Sequence, residues 1–412
     1  MHWRSGWSGC LGTARAPLGT DLWIAIVSGP MFAPRLILHL SHTDIRCDAR
    51  ILKELDALRT LPAVRIDAIG VDYDEGAAAA HQPEGVRIEA LALRTRGWRR
   101  LHGALRHALN LLELGARMVP RAVSRKPAVV HCHDALVLPI GALIKILTGC
   151  ALVYDAHELE SRKNGQSRFL SRATLAMERA CWHLVDVLVS VSPAILAWYA
   201  EHLGPRTSVL VLNAPMCPAG VVRSAARPRT FHERFGIAPE RKVFVYLGLL
   251  AHGRGIPLLL DAFGRADSPS DIVFVGYRDV VGVAEAACRL PHVHLHPPVP
   301  HDEVVSLVRA ADFGVCLVED VSLSDRLCLP NKLFEYVFAG LPVLASDLPE
   351  IRRVVDRHGL GVCCAPDPGS VAHAVERLRS SSWSIDVAAL GELGWQTQAE
   401  RLREAYRSIL GP

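Results

Sequence analysis

The chain repeats one unit over most of its length: a short apolar run of four to six residues, then a stretch whose apolar residues recur at i, i+3, i+4 and i+7. In the first half the runs are Leu36–Leu40, Val64–Ile69, Ala128–His131, Ala151–Tyr154, Val187–Val191 and Val209–Leu212. Helical spacing fills intervals such as Ala135–Leu147 and Phe169–Val185. Short runs that are apolar at nearly every position suit strands covered on both faces, and strand–helix–strand alternation builds a parallel sheet with helices on either side. The pattern pauses over 213–228, where Pro215, Pro218, Gly220 and Pro228 leave no periodicity, which reads as a linker. It restarts at Val243–Leu247 and continues through Ile272–Val275, Val293–Leu295, Phe313–Leu317, Pro342–Ala345 and Gly361–Cys363. The helices between are expected to start near Pro257, Asp279, Asp302, Asn331 and Pro349, with a last helical pattern from Val387 to Leu410.

The expected fold class is therefore α/β: two Rossmann-like doubly wound domains facing a central cleft. The expected divisions are an extension over 1–30, a first domain over 31–215, a second over 216–390, and a C-terminal helix over 391–412 that packs back on the first domain. A length of 412 residues exceeds one ordinary core and agrees with two. The segment before Met31 holds Trp3, Arg4, Trp7 and a short apolar patch over Leu22–Val27, too weak for a signal peptide. It is expected to be unstructured or foreign to the natural protein.

Composition narrows the function classes. Half the residues are hydrophobic and 21% charged, which marks a packed protein. A formal net charge of +4 is too mild to call for a nucleic acid partner. The 11 cysteines are scattered, with no Cys-x-x-Cys pair, so free thiols in a reducing cytoplasm are expected. No apolar run approaches the ~18 residues of a spanning helix.

In doubly wound folds ligands bind outside the carboxyl ends of the strands, so the loops that follow strands carry the chemistry. Gly248, Gly253 and Gly255 in Leu247–Pro257 permit tight turns and close approach of a ligand, and Arg254 can fork onto a phosphate. The stretch Leu329–Tyr336 opens a helix with Pro330 and Asn331, the latter a candidate N-cap. Lys332 stands in the first turn, where a cation is disfavoured unless an anion binds. Glu335, one turn after Asn331, can accept both hydroxyls of a ribose, or it can form an i,i+3 surface pair with Lys332. In the first half, His131-Cys132-His133-Asp134 and Asp155-Ala156-His157-Glu158 end neighbouring strands. These groups suit hydrogen bonding to a polyhydroxy substrate, a metal site, or simple capping of the strand ends.

With these loops in order, the chain resembles the GT-B-fold glycosyltransferases, in particular the retaining family 4 group, over roughly Leu36 to Leu378. The resemblance rests on Val130-His131-Cys132-His133-Asp134, Val153 to Leu159, Val189 to Ser192, Tyr246-Leu247-Gly248 with Arg254-Gly255, and above all Pro330 to Tyr336 with Ala339 to Val343. It implies that Arg254 meets the donor pyrophosphate, that Glu335 is the ribose-holding second glutamate of the Glu-x7-Glu motif, and that His157 meets the donor sugar. It further implies donor contacts from Gly248, Gly253, Gly255, Pro330, Asn331, Lys332 and Leu333, and puts His133, Asp134, Asp155 and Glu158 on the acceptor or sugar side. Two positions depart from the family pattern: Leu327 stands where the first glutamate belongs, and Leu249 where a second basic residue belongs, a charge that Lys332 can replace.

The expected reaction moves a sugar from a nucleoside-diphosphate sugar to a glycan, lipid-linked or small-molecule acceptor, with retention implied by the resemblance alone. Arg254, Lys332 and a helix N-terminus would carry the leaving diphosphate's charge, so no metal and no cofactor are expected. Alternatives are a GT-B epimerase or hydrolase, a metal-dependent hydrolase using His131, His133, Asp155 and His157, and a non-catalytic partner subunit. Between Arg94 and Lys126 nine Lys or Arg residues meet one acid, Glu113, with Trp98, Leu101, Leu105, Leu109, Leu112 and Met118 interleaved. Such a segment can lie on an anionic membrane, at its inner face, or pack as an ordinary helix.

Overall fold

The computed structural model describes residues 34–73, 82–98, 103–216 and 227–411. The 1–30 extension, Arg99, Arg100 and Leu101 of the basic segment, and Pro218 and Gly220 of the linker lie outside them.

Seven strands form the first sheet: β1 (Arg35–Ser41), β2 (Val64–Val71), β3 (Arg87–Leu91), β4 (Val129–His133), β5 (Ala151–Ala156), β6 (Val187–Ser190) and β7 (Thr207–Leu210). Their order is β3-β2-β1-β4-β5-β6-β7, every pair parallel. Six more form the second: β8 (Lys242–Leu249), β9 (Ser270–Tyr277), β10 (Val293–His296), β11 (Phe313–Cys316), β12 (Val343–Ser346) and β13 (Gly361–Cys364), ordered β10-β9-β8-β11-β12-β13 and again parallel. In each sheet the order reverses once, between β1 and β4 and between β8 and β11. In doubly wound folds ligands bind outside the carboxyl ends of the strands at such a reversal.

Helices cover both faces. In the first half they are α1 (Ala49–Leu58), α2 (Gly103–Arg125), α3 (Leu138–Thr148), α4 (Arg168–Trp182) and α5 (Pro193–Leu203). Then come α6 (Thr230–Phe235), α7 (Ile256–Phe263), α8 (Val283–Arg289), α9 (Val304–Val308), α10 (Leu323–Arg326), α11 (Asn331–Phe338), α12 (Pro349–His358), α13 (Pro368–Ser380) and α14 (Trp395–Leu410).

The two-residue period of the strands sorts their side chains. In the first sheet Leu38, Val130, Leu152 and Tyr154 meet α2 to α5, whereas Ile37, Val129, Val153 and Val189 meet α1 and α14. The C-terminal helix thus lies on the first sheet. Trp395, Ala399, Leu402 and Tyr406, at i, i+4, i+7 and i+11, enter that core, and each large apolar side chain buried there stabilises by ~1.5–3 kcal/mol. Gln398 Oε1 accepts from Leu212 N at 3.1 Å, which ties α14 to the chain leaving β7.

Several local expectations need correction. The edge strand β3 carries no clear strand signal, because Arg87-Ile88-Glu89-Ala90-Leu91 is only half buried and weakly apolar. Helix α8 starts at Val283 rather than Asp279, because the Asp279 carboxylate holds the turn before it, accepting from Val281, Gly282 and Ala284 N–H groups. The last helical pattern is a 3-10 segment, Val387–Leu393, followed by α14. Asn331 is not an N-cap: Pro330 holds that position in extended geometry and Asn331 is the first helical residue. The basic segment is a short 3-10 turn, Arg94–Gly97, and α2. Met118 is buried, and Arg117, Arg121 and Arg125 turn into internal ion pairs with Glu113, Glu89 and Asp67.

Candidate active site

Parallel register builds the first half of the site. His39 of β1 lies beside His131 of β4, Ser41 beside His133, and His133 beside Asp155 of β5. The alternation His131-Cys132-His133 sends both imidazoles to the α1 face and the thiol to the other core. The rings stack, with centroids 4.5 Å apart for His39 and His131 and 4.4 Å for His131 and His133. Hydrogen bonds run along them: His39 Nδ1 to His133 Nε2 at 2.9 Å, and His133 Nδ1 to His157 Nε2 at 3.2 Å. At the inner end His131 Nδ1 meets the Tyr406 hydroxyl of α14 at 2.6 Å.

Carboxylates and one arginine set the charge. Asp155 Oδ2 lies 3.1 Å from His157 Nε2, and Asp134 Oδ1 lies 3.6 Å from His157 Nδ1. Arg50 of α1 donates to both Asp155 oxygens and lies 3.0 Å from Glu54 Oε1. Burial works against a charged His157, but Asp134 and Asp155 outweigh it and lift the pKa to about 10. Burial likewise opposes an ionised Asp155, and Arg50 with His157 holds it well below the usual carboxylate range. Burial and Asp155 push Glu54 up to about 8, and burial takes His131 down to about 3. At neutral pH two cations, Arg50 and His157, balance two anions, Asp134 and Asp155.

The loop holding Asp134 is strained. Asp134 has φ 67° and ψ 162°, and its N–H donates to Asp155 O at 2.9 Å. A non-glycine residue held there costs on the order of 1–3 kcal/mol, and such strain clusters at functional sites. Glu158, expected beside these groups, is instead exposed and lies 3.6 Å from Lys163.

The second half of the site lies at the β8/β11 switch. Gly248, Gly253 and Gly255 all have positive φ, at 112°, 79° and 68°. At Gly255 the requirement is double, since a Cβ would also stand 2.7 Å from Leu317 Cβ. Gly255 N donates to Glu319 Oε1 at 3.0 Å, which anchors the loop as it enters α7. Arg254 is half exposed, with Nη1 3.8 Å from Asp325 Oδ1. In α11, Leu333 is core, and Lys332 sets its ammonium over the Tyr246 ring at 4.0 Å from the centroid. Burial lowers Lys332 to about 8. Lys332 is half-buried and Glu335 is buried, so the two form no exposed surface pair. The nearest ion-pair partner of Glu335 among the described residues is His301, Nδ1 to Oε1 at 3.7 Å. Burial raises its carboxyl to about 7, against the pull of Lys53 and Lys332.

The two halves meet through 322–327. Leu159 N donates to Ser324 Oγ at 3.1 Å, and Ser192 Oγ donates to Leu327 O at 2.7 Å. Leu323 and Leu327 pack against the first sheet's core. An apolar residue at 327 therefore has a structural task, contact between the halves.

Two overlapping groups of described donors could hold a metal, His39, His131 and His133, and Glu54, His131, His133 and Asp155, the ligand atoms of each lying within 4.8 Å of one another. In the second group the Arg50 guanidinium already lies against both carboxylates and supplies their counter-charge, so an ion there would have to displace it.

Arg50, Lys53, Glu54, His301 and Tyr406 also stand at or behind the site, and no motif in the sequence marks them. Arg50 and Glu54 are an i,i+4 pair of the kind found on any solvated helix; only their sharing a face with Ile51, Leu55 and Leu58 hinted at burial. Lys53 donates to Asn213 Oδ1 and Ala214 O where the chain leaves the first sheet.

Residues 49–215 match the family model described as glycosyl transferase 4-like domain, and 241–381 the one described as glycosyl transferases group 1. D-inositol 3-phosphate glycosyltransferase 1 of Catenulispora acidiphila is 25% identical over 387 residues, covering 87% of each chain. An uncharacterized glycosyltransferase of Methanocaldococcus jannaschii is 24% identical over 264 residues, 61% of this chain and 66% of that protein. Among solved structures, sucrose-phosphate synthase from Thermosynechococcus elongatus superposes with a TM-score of 0.72 at 16% identity, covering 91% of this chain and 99% of that one. Anabaena Alr3699/HepE in complex with UDP-glucose gives 0.65 at 14% identity, covering 90% and 99%.

Proposed function

The chain belongs to the group 1 glycosyltransferases of GT-B fold, and from that premise we propose that it moves a sugar from a nucleoside-diphosphate sugar to a glycan, lipid-linked or small-molecule acceptor, with retention and without a metal. The observation that carries this reading is the pairing of two switch-point crevices through the 322–327 contacts, one lined by His157 and its carboxylates, the other by the glycine loop and α11.

Each half has chemistry suited to one part of a donor. Glu335 is a buried acceptor for ribose hydroxyls. Arg254, Lys332 and the free N–H groups opening α11 are the positive side for a pyrophosphate, where charge grows as the bond to the sugar breaks. A diphosphate would raise Lys332 from about 8 and keep it charged. His157 serves as an oriented cation toward the sugar, since both its ring N–H groups face the carboxylates of Asp155 and Asp134 and are not free to exchange a proton with a substrate. His133 orients that ring, and Glu158 is left for an acceptor at the rim. The UDP-glucose complex of the Anabaena protein supports a nucleotide sugar as donor here.

We take 31–215 as the acceptor-side domain and 216–390 as the donor domain, with 391–412 completing the first. Among the described residues no helix is long and apolar enough to cross a membrane. We propose a cytoplasmic enzyme of cell-envelope or polysaccharide synthesis, peripheral at the inner membrane face. A thermal-shift panel of nucleotide sugars tests the donor assignment, because a ligand bound to the folded state raises apparent stability by mass action. One nucleotide series should shift the transition and be consumed on adding acceptor; no shift with any of them would sink the proposal.

A further inference from the structure

Three helices, α2, α3 and α4, lie side by side over one face of the first sheet, with α3 in the middle. Their inner sides are core. Their outer sides are also apolar. On α2, Leu105 and Leu112 are exposed, the latter by 69%; on α3, Leu143, Ile146 and Leu147 follow at i, i+3 and i+4; on α4, Phe169 is 82% exposed beside exposed Leu170. Scattered exposed leucines are ordinary, but a run of them across three adjacent helices marks a contact face.

Charge says what the face contacts. The three helices contain two carboxylates, and both turn away. Glu113 accepts from Arg94 N, Thr95 N and Thr95 Oγ1, and fully buried Glu178 accepts from the Tyr154 and Tyr199 hydroxyls. Arg168, Arg172 and Arg179 of α4 are exposed and enter no ion pair among the described residues. The outer surface is therefore apolar and cationic, with no exposed acid on its helices. A second copy docked symmetrically would set these arginines against themselves. An anionic bilayer offers an apolar interior for Phe169, Leu112 and Ile146 and phosphates for the arginines.

The face also adjoins the cleft. The segment entering α4 carries Leu159, bonded to Ser324, and Asn164, which closely approaches Gly253. Phe169 and Leu170 thus stand at the cleft end of α4, where a lipid-linked acceptor would arrive.

We propose that the outer face of α2, α3 and α4 is a docking surface for an anionic lipid bilayer; the proposal rests on the glycosyltransferase reading with a membrane-held acceptor. It moves the expected contact from the basic 94–126 segment, whose Arg117, Arg121 and Arg125 serve the fold, to a surface centred on α3 and α4.

The test is cosedimentation of the full chain with phosphatidylcholine vesicles, with and without phosphatidylglycerol. The chain should sediment with the anionic vesicles and weakly with the neutral ones. R168A/R172A should lower partitioning to anionic vesicles by about 25-fold, about fivefold per arginine. F169S/L170S and I146S/L147S should lower partitioning to both. Nucleotide-sugar thermal shifts of every variant, expected to match the parent, show that each is folded. A parent that stays in the supernatant with both vesicles, or binding indifferent to all three variants, overturns the surface. So does a concentration-dependent dimer that these substitutions dissolve without vesicle binding. A parent that binds vesicles but no nucleotide sugar would overturn the transferase reading instead.

Discussion

Arg50, on α1, donates through Nη2 to Asp155 Oδ1 at 3.1 Å and through Nε to Asp155 Oδ2 at 3.3 Å, with both side chains out of contact with solvent. Asp155 in turn holds His157 at 3.1 Å, so a guanidinium inside the first domain fixes the charge of a side chain at the cleft. The arginine itself does not need to meet a substrate for this. It acts by keeping Asp155 ionised where burial alone would neutralise it.

Asp155→Asn should therefore do more than remove one hydrogen bond. It takes from buried Arg50 the carboxylate that balances its charge and leaves it Glu54 and the Val211 carbonyl, a loss of up to about 3–5 kcal/mol. It also removes one of two anions lifting His157, whose titration should move down from about 10. Chemical denaturation reads the first effect and the His157 ring resonances read the second. An unchanged imidazole titration would mean that Asp134 alone sets the charge.

Stability should fall from weakly acidic to alkaline pH. His157 is raised in the fold from 6.5 to about 10, so its contribution is complete below 6.5 and lost as pH rises through 10. Glu54 is raised from 4.5 to about 8, so the fold loses stability as pH climbs from 4.5 through 8. Asp155 works oppositely: its contribution is present above the ordinary carboxylate value and lost in acid. A tenfold difference in proton affinity between the folded and unfolded chain is worth about 1.4 kcal/mol, so the combined alkaline decline should be several kcal/mol. Glu54→Gln should flatten the limb between pH 5 and 8 and leave the higher limb intact; thermal melts across pH in the parent and variant decide.

Glu335→Ala and Arg254→Ala should each weaken nucleotide-sugar binding by roughly 10- to 100-fold, the loss for a hydrogen bond to a charged group. Titration calorimetry measures it. The two should differ with ligand: Arg254→Ala should lose its effect on a nucleoside lacking the diphosphate, whereas Glu335→Ala should keep it. Unchanged affinity in both variants would remove the donor site from these loops.

Leu327→Glu would restore the motif's first carboxylate, yet it should impair the protein. Leu327 packs on the first sheet's core, and a carboxylate forced there costs several kcal/mol unless it swings out and breaks the Ser192 contact to the 327 carbonyl. We expect a lower melting temperature and weaker donor turnover than in the parent. A variant with unchanged stability and faster turnover would show that position 327 faces the sugar.

Much of this protein was legible in its residues. Runs such as Leu36–Leu40 and Val243–Leu247 are apolar at nearly every position, a pattern suited to strands covered on both faces, and their alternation with helical spacing admits little other than doubly wound sheets. The same order put the glycine loop, Pro330 to Glu335 and the two histidine loops at strand ends, because ligands in such folds gather there. Local rules also separated a helix start at Pro330 from the strand before it, although they gave the capping role to Asn331.

Tertiary structure decided the rest, because burial and partnership are not local properties. Arg50 and Glu54 carry the signature of a solvated i,i+4 pair, and only docking of α1 beneath α14 puts them against Asp155. Tyr406 reaches His131 across 275 positions, a distance no periodicity spans. Lys332 and Glu335 could be read as ligand contacts or as a surface pair, and the packing of α11 against β8 and β11 half-buries the first and buries the second. Leu327 reads as a lost glutamate until the first domain's core is seen beside it. The sequence by itself determined which elements form and in what order they alternate, since those follow from spacing along one chain. Which charges lose their water, and which partner then stabilises them, was decided only when elements far apart in sequence came into contact.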